Sequence, residues 1–324
     1  MIRKTALLLG MTVFAVLLNA TGSFAIQCFS PIVNGTGAYA TTVAVASNFY
    51  GSPSPGATRP VDIGPIRDLV QNHFQNSALG ANTSVTICHD STANLLAEIN
   101  NPKSTYNFGI FFAANSSAAI SLEKANVNTS FLYARGVPVL FALSSTIPTV
   151  GGLITNLGSG ASYNIMDDLT TINSRSINTG AGGASLVTVA GSGAPYGAKA
   201  QLILNTMMGI SLPTPPAWVY PTLWGNIDQT FNAVVASGST GVRSGFVGKS
   251  QICGGIAPNA TPPLYTYVQF TDTDFVLDQR AILLAEADSA NPATAAGKLR
   301  KYIMDRIVAN TWNSFLTTHC YQNP

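Results

Sequence analysis

The chain has 324 residues, of which only 9% are charged, with a net charge of +2 and an isoelectric point near 8.3. This near-neutral balance lacks the clustered basic footprint typical of nucleic-acid binding, and it provides no polybasic patch for a membrane surface. Once a leader is removed, about 300 residues remain, too many for one small core and a natural size for two lobes.

The first 25 residues predict a signal peptide. Arg3 and Lys4 precede an apolar run over residues 6–18, and the small residues Ser23 and Ala25 fit cleavage after Ala25. The apolar run is too short for a comfortable membrane span. The residues before Cys28 are not the small ones expected ahead of a lipidated cysteine. We therefore expect an exported protein.

Four cysteines remain in the mature chain, and none forms a Cys-x-x-Cys pair, which argues against a zinc or redox site. An even number of cysteines in an exported protein favours disulfides. Four cysteines allow three pairings, and the sequence does not choose among them. The four are Cys28, Cys88, Cys253 and Cys320.

Strands alternate with helices along the first half of the mature chain. Apolar runs predict strands at residues 42–47, 84–88, 108–112 and 137–142. Helical spacing of apolar residues predicts one helix carrying Ile66, Leu69, Val70 and Phe74, and another over residues 92–99. This alternation indicates a largely parallel sheet with helices on both faces.

The second half opens with a Gly-, Ser- and Thr-rich stretch at 144–183, which predicts an elaborated loop with a short helix near 167–172. Strands are then expected at 186–189, 245–248 and 265–270, and a helix at 196–208. A further helix begins at Asn226, which fits a capping box with Gln229. Two helices close the chain, the last with Leu299, Ile303 and Ile307 on one face. No internal repeat is present.

Three junctions share one design, in which an apolar strand runs through a polar turn into a helix. They lie at residues 46–48, 89–92 and 190–197. In open α/β sheets ligands bind at the carboxyl ends of strands, where helix starts offer unpaired N–H groups to anions. Each turn, taken alone, is equally consistent with an ordinary helix cap. Pro195 in the third turn suits the first turn of a helix.

Catalytic patterns are weak. The three histidines do not cluster with carboxylates at metal-ligand spacing, and Gly158-Ser159-Gly160 lacks the full nucleophile-elbow pattern. His89, Asp90 and Ser91 are triad residue types, but adjacent side chains point apart, whereas triads are assembled from separated segments. We therefore expect a binding protein and no enzyme.

At the three junctions and beyond, the sequence resembles the periplasmic molybdate-binding proteins of ABC importers. The resemblance covers nearly the whole mature chain. It is carried in order by residues 43–49, 91–99, 131–136, 193–197, 226–227, 245–251, 279–284 and 291–293. It implies a two-lobed, type II periplasmic binding protein of mixed or parallel sheets with helices on both faces and hinge crossovers. Lobe one would comprise 26–134 and 253–324, and lobe two 135–252.

The resemblance also implies a ligand site of neutral donors. It places side chains in the first two turns, the backbone N–H groups of two helix starts, and one strand position around a tetrahedral dianion. In this sequence these are Ser47, Asn48, Ser91, Thr92, Tyr196, Ile227 and Gly248. It further implies molybdate or tungstate as ligand with no cofactor or protein-bound metal ion, a membrane ABC permease as partner, and a monomer.

The chain departs from the family pattern near this site. His89 and Asp90 stand where a small residue is usual, Asn115 replaces an aspartate, and Lys249 replaces an apolar or small residue. Two roles are open for Asp90. Its side chain either points into the cleft, where it favours an anion that still carries a proton, or caps the following helix. Other small anions (sulfate, phosphate-like or a small organic acid) and a non-transport receptor role therefore stay open.

The cysteine pattern gives a direct test. We expect thiol titration of the unfolded, unreduced protein to find almost no free thiol, because both pairs are oxidised after export. Four reactive thiols would contradict the prediction, and full reduction before unfolding is the control.

Overall fold

The computed structural model describes residues 26–51, 59–123, 128–146, 186–208, 211, 219–220, 222–236, 242–270 and 272–324. The predicted signal peptide, the short helix near 167–172 and most of the 144–183 stretch lie outside these residues. No helix in the described ranges is long and apolar enough to cross a bilayer.

The larger of two sheets has seven strands in the order β1-β4-β3-β5-β11-β6, with β2 also paired to β4. Its central strand, β3, runs parallel to both β4 and β5, whereas β11 is antiparallel to β5 and β6. Both faces of the sheet centre are covered, and β5 (Phe-Gly-Ile-Phe-Phe) is accordingly buried along its whole length. The strands are β1 Gln27–Cys28, β2 Ile32–Val33, β3 Tyr39–Ala46, β4 Thr83–Asp90, β5 Phe108–Phe112, β6 Phe131–Gly136 and β11 Leu277–Leu283.

The smaller sheet has the order β10-β7-β9-β8. In it β7 is antiparallel to β9 and β10, and β8 is parallel to β9. Its strands are β7 Pro138–Leu143, β8 Leu186–Thr188, β9 Val242–Gly248 and β10 Tyr265–Gln269.

The helices pack around these sheets. The helices of eight or more residues are α4 Thr92–Ile99, α5 Ser116–Glu123, α6 Pro195–Met208, α7 Ile227–Val235 and α9 Ala295–Val308. Shorter ones are α1 Ser47–Tyr50, α2 Pro60–Ile63, α3 Pro65–Asp68, α8 Lys249–Ile252 and α10 Trp312–Thr318, with a π-helical turn at Leu69–Phe74 and a 3₁₀ turn at Cys253–Gly255.

The described chain passes between the two sheets at two neighbouring places. One crossing joins β6 to β7 through Val137, and the other joins β10 to β11. The crossings lie side by side because β6 pairs with β11 and β7 pairs with β10, and the Phe270 N–H donates to the Pro138 carbonyl between them at 3.0 Å. The predicted alternating α/β architecture with crossovers between two lobes is confirmed.

Two details differ from the sequence-based expectations. The apolar face of Leu299, Ile303 and Ile307 lies on α9, and a further short helix, α10, follows it. Strand β10, which the proposed division assigned to lobe one, pairs within the smaller sheet. The boundaries near residues 134 and 252 themselves stay a prediction.

Both disulfides join segments that are distant in sequence. Cys28–Cys88 ties β1 to β4 across 60 residues, and Cys253–Cys320 ties the segment after α8 to the C-terminal tail across 67 residues. The described residues contain no free cysteine. The prediction of two disulfides is confirmed, and the pairing that sequence left open is resolved.

A buried carboxylate links α3 to the C-terminal region. Asp68, 1% exposed, lies 2.9 Å from His319 Nε2 and 3.2 Å from His73 Nε2 and accepts a hydrogen bond from Asn72. Burial alone would raise the pKa of Asp68, but these hydrogen bonds hold that pKa well below its usual range. The carboxylate therefore stabilises the folded state most when it is ionised.

We expect Asp68→Ala to lower the free energy of unfolding by roughly 3–5 kcal/mol, because it leaves His319 buried without its partner. The folded-state pKa is depressed, so the contribution is complete above the unfolded value of about 3.9 and is lost as pH falls below it. Urea denaturation at pH 7 and pH 3 measures both effects. Asp305→Ala, which breaks an exposed pair with Lys301, is the control. Equal losses in the two variants would contradict this account.

Candidate functional site

The first two polar turns and the starts of α6 and α7 meet around one small cavity. Parallel pairing brings the ends of β3 and β4 to one edge of the larger sheet, and α6 and α7 reach that edge from the smaller sheet. The cavity is lined by Ala46, Ser47, Asn48, Ser91, Thr92, Ala114, Ala194, Pro195, Tyr196, Asn226 and Ile227. Its volume is about 10 Å³, room for roughly one water-sized sphere.

Six of the seven predicted site residues line this cavity. The seventh, Gly248, does not line it but lies against the Tyr196 ring, and a Cβ atom at this glycine would come within 2.9 Å of Tyr196 Cζ. Gly248 therefore leaves room for the Tyr196 side chain. Sequence reasoning missed the lining residue Ala114, whose N–H is held by the Thr92 hydroxyl.

Three hydroxyl groups at the cavity have donor capacity to spare. Ser47 Oγ is buried and has no hydrogen-bond partner. Ser91 Oγ accepts from the Asn94 N–H at 3.2 Å, and Thr92 Oγ1 accepts from the Ala114 N–H at 3.1 Å. Because a hydroxyl that accepts one bond still carries its own hydrogen, Ser91 and Thr92 can each also donate to a ligand.

Helix starts add backbone donors to these hydroxyls. The first N–H groups of α4, α6 and α7 have no partner within their helices, and the positive ends of the three helix dipoles lie at the same cavity. Ser91 and Asn226 act as N-cap residues of α4 and α7. One half of the predicted capping box is present, since Asn226 Oδ1 accepts from the Gln229 N–H at 3.0 Å. The Gln229 Oε1 accepts instead from the Gly225 N–H, one residue before the cap.

The glycine-rich turn before α6 allows close packing of that helix. The Ala194 N–H donates to the Gly191 carbonyl, and the Gly191 N–H donates to the Trp224 carbonyl at 2.7 Å. A side chain at Gly197 would collide with the carbonyl oxygens of Ala190 and Gly191. Glycine at 197 therefore lets the first turn of α6 lie directly on the end of β8.

The Asn48 side chain is bound within the protein, which differs from the prediction that it donates to the ligand. Its Nδ2 donates to Gln279 Oε1 at 2.8 Å and to the Tyr321 hydroxyl at 3.1 Å. Its Oδ1 is buried without a partner. In this arrangement α1 offers the cavity the Ser47 hydroxyl, while the Asn48 amide hydrogens hold the base of the site together.

Gln279 is the centre of this base, and sequence reasoning did not single it out. Its Oε1 also accepts from the Tyr133 hydroxyl at 3.0 Å, and its Nε2 donates to the Tyr196 hydroxyl at 2.9 Å. Burial raises the pKa of the Tyr133 and Tyr196 hydroxyls well above the usual value, so both stay neutral. The sequence signal was weak, because β11 (Leu-Asp-Gln-Arg-Ala-Ile-Leu) is partly polar and was not predicted as a strand.

Charged side chains surround the cavity without lining it. Asp90 accepts from the Ser91 N–H at 2.6 Å and from Asn94 Nδ2 at 3.1 Å, as expected of a residue that stabilises the start of α4. Lys249 donates to Gln269 Oε1 at 2.9 Å. None of the cavity-lining residues is Lys, Arg, Asp or Glu. The described residues also contain no cluster of His, Cys, Asp or Glu suited to a metal ion.

Comparison with known proteins gives structural matches at low sequence identity. No protein-family model matches the chain, and no curated protein is similar to it in sequence. The periplasmic molybdate-binding protein of Azotobacter vinelandii superimposes with a TM-score of 0.56 at 17% identity, covering 88% of this chain and 99% of the other. The sulfate-binding protein SubI of Mycobacterium tuberculosis gives 0.51 at 11%, covering 88% and 87%.

This chain has the two-lobed fold of type II periplasmic binding proteins. The likeness covers most of its length, and both similar proteins are described as binding a tetrahedral oxyanion. At such identities the likeness shows the fold alone.

We expect Asp90→Asn to lower the free energy of unfolding by about 1 kcal/mol or less, because it removes a negative charge from the start of α4. The preference among anions should not change, since Asp90 does not line the cavity. Thermal unfolding measures the first effect, and calorimetry with molybdate and hydrogen phosphate measures the second. An exchange of preferred anion in the variant would contradict the assignment of Asp90 to the helix cap.

Proposed function

We propose that this protein captures a small tetrahedral oxyanion between its two lobes, with molybdate or tungstate as the first candidates. The observation that carries the proposal is the Ser47 hydroxyl, which is buried and unpartnered at a cavity where three helix starts converge. An unpaired buried hydroxyl costs about 1–3 kcal/mol. A bound anion would accept from it.

The chemistry of the lining favours a fully ionised anion. Each helix start favours negative charge by roughly 0.3–1 kcal/mol, and by up to ~2 kcal/mol when partly buried. Three such starts and three hydroxyl groups can hold a dianion without a lysine or arginine. No carboxylate lines the cavity to accept a proton from the ligand, which favours molybdate, tungstate or sulfate over a hydrogen-bearing phosphate.

Sulfate is the nearest alternative, because it has the same charge and shape as molybdate. A small organic acid of similar size is the other alternative. The cavity has room for about one water-sized sphere, so even a tetraoxyanion requires the lobes to part and the lining to open around it. The similarity in fold to one molybdate-binding and one sulfate-binding protein supports the class of ligand and leaves the choice between the two anions to measurement.

The proposed role is delivery of the anion from the periplasm to a membrane ABC permease by a monomeric protein whose signal peptide is cleaved after Ala25. A second role with the same fold is a receptor that signals to a membrane partner. The neighbouring genes distinguish the two, since a permease gene favours transport and a sensor-kinase gene favours signalling.

We expect Thr92→Val to weaken molybdate binding about 10- to 100-fold, because it removes a hydrogen bond to a charged oxygen worth roughly 1.5–3 kcal/mol. Valine keeps the shape of threonine, but it also removes the acceptor of the Ala114 N–H. Thermal unfolding therefore has to accompany calorimetry with molybdate, tungstate, sulfate and hydrogen phosphate on refolded, ligand-stripped protein.

Thr317→Val, at an exposed position on α10, is the matched control and should bind as the unsubstituted protein does. Asn48→Ala should also weaken binding, here by loosening the base of the site. If a folded Thr92→Val protein keeps full affinity, the ligand does not occupy this cavity.

A further inference from the structure

A second and much larger cavity lies beside the proposed anion site. Its volume is about 620 Å³, within the range typical of organic ligands. One wall comes from residues near α2 and the end of β4, and the other from α7 and α8. Asn226 lines both cavities, so the two are neighbours in the space between the lobes.

A stack of rings forms part of the wall on the side of the larger sheet. His89 lies on Tyr50, with ring centroids 3.8 Å apart and planes 6° apart, and Phe29 packs against both rings. Burial raises the pKa of Tyr50 to about 12 despite the opposing effect of Arg67, so this phenol carries no charge. Phe231 and Tyr265 line the facing wall.

Polar atoms without partners are concentrated at this cavity. His89 is only 8% exposed, and neither of its ring nitrogens has a hydrogen-bond partner. Its Nδ1 lies 3.4 Å from Asp228 Oδ2, but the two atoms are not aligned for a hydrogen bond. Asp228 Oδ1 accepts from Gln251 Nε2 at 2.7 Å, whereas Asp228 Oδ2 and Gln251 Oε1 are both buried and unpartnered.

The charge of the lining is negative. It contains three carboxylates (Asp62, Asp90 and Asp228) and one guanidinium, that of Arg59. Arg59 is paired with Asp62, and Asp90 is held at the start of α4. Asp228 is paired with neither an arginine nor a backbone N–H, and its Oδ2 has no positive partner while the His89 ring, 3.4 Å away, is neutral.

We propose that this cavity is a second binding site, which takes a small organic ammonium ion. The ammonium group donates to Asp228 Oδ2 and Gln251 Oε1, and its apolar substituent lies among Phe29, Tyr50, Phe231 and Tyr265. Both oxygens are closed to solvent in this structure, so the two side chains turn toward the cavity when the ammonium group binds. Aromatic faces and carboxylates together are the usual surroundings of such cations. A resident metal ion fits less well, because no third His, Cys, Asp or Glu joins His89 and Asp228 in the described residues.

Benzylammonium and benzyl alcohol test the proposal, because they share a shape and differ in charge. In NMR or calorimetric titrations of the full mature protein, we expect benzylammonium to bind at least about tenfold more tightly, the effect of one charge-assisted hydrogen bond. Equal binding of the two, or no binding of benzylammonium at millimolar concentration, overturns the proposal. This comparison needs no variant and so does not depend on variant stability.

Asp228→Asn should weaken benzylammonium binding about tenfold or more, while molybdate binding is retained or becomes stronger, because the variant removes a negative charge next to the anion cavity. Asp305→Asn removes the same charge from an exposed pair on α9 and should change neither benzylammonium binding nor molybdate binding.

Unchanged benzylammonium affinity in a folded Asp228→Asn protein overturns the site. A metal site would also overturn the proposal. It is indicated if benzylammonium does not bind, Zn²⁺ does bind, and Zn²⁺ binding is lost in both His89→Ala and Asp228→Asn. Thr92→Val, which affects the anion cavity alone, separates failure of this proposal from failure of the anion proposal.

Discussion

Parallel pairing of β3 with both β4 and β5 is the constraint on which the candidate site depends. Parallel neighbours need a crossover between them, and each crossover returns to the same edge of the sheet. The turns after β3 and β4, together with Ala114 after β5, therefore lie side by side although they are separated by tens of residues in sequence. With the starts of α6 and α7 facing them, polar groups from both sheets converge on one point.

Neutral donors at that point avoid the cost of a buried ion pair. A lysine or arginine in so small a cavity would be costly to desolvate whenever no ligand was bound. Hydroxyl and N–H groups carry a smaller penalty, and the helix dipoles supply a positive potential without a formal charge. The buried amides and tyrosines around Gln279 keep α1 in place and also tie it to Tyr196 on α6.

The sequence correctly predicted those elements whose structure depends mainly on interactions between residues close together in the chain. The Asn226 N-cap of α7, the α4 helix after Ser91 and the buried β5 strand depend on neighbouring residues, and all three are present. The antiparallel strands β6 and β11 were not predicted as strands, because their pairing joins segments more than 140 residues apart. The partners of the Asn48 side chain were missed for the same reason, since Gln279 lies 231 residues away.

The two proposed sites would influence each other's affinity. Asp228 follows Ile227, which lines the cavity proposed for the anion, so the Asp228 carboxylate would oppose a dianion at the same helix start that attracts it. A cation held by Asp228 would remove part of that repulsion. By thermodynamic linkage, any gain in anion affinity from the cation equals the gain in cation affinity from the anion. A cation bound in the larger cavity would thus change the affinity of the smaller cavity for the anion without touching the anion.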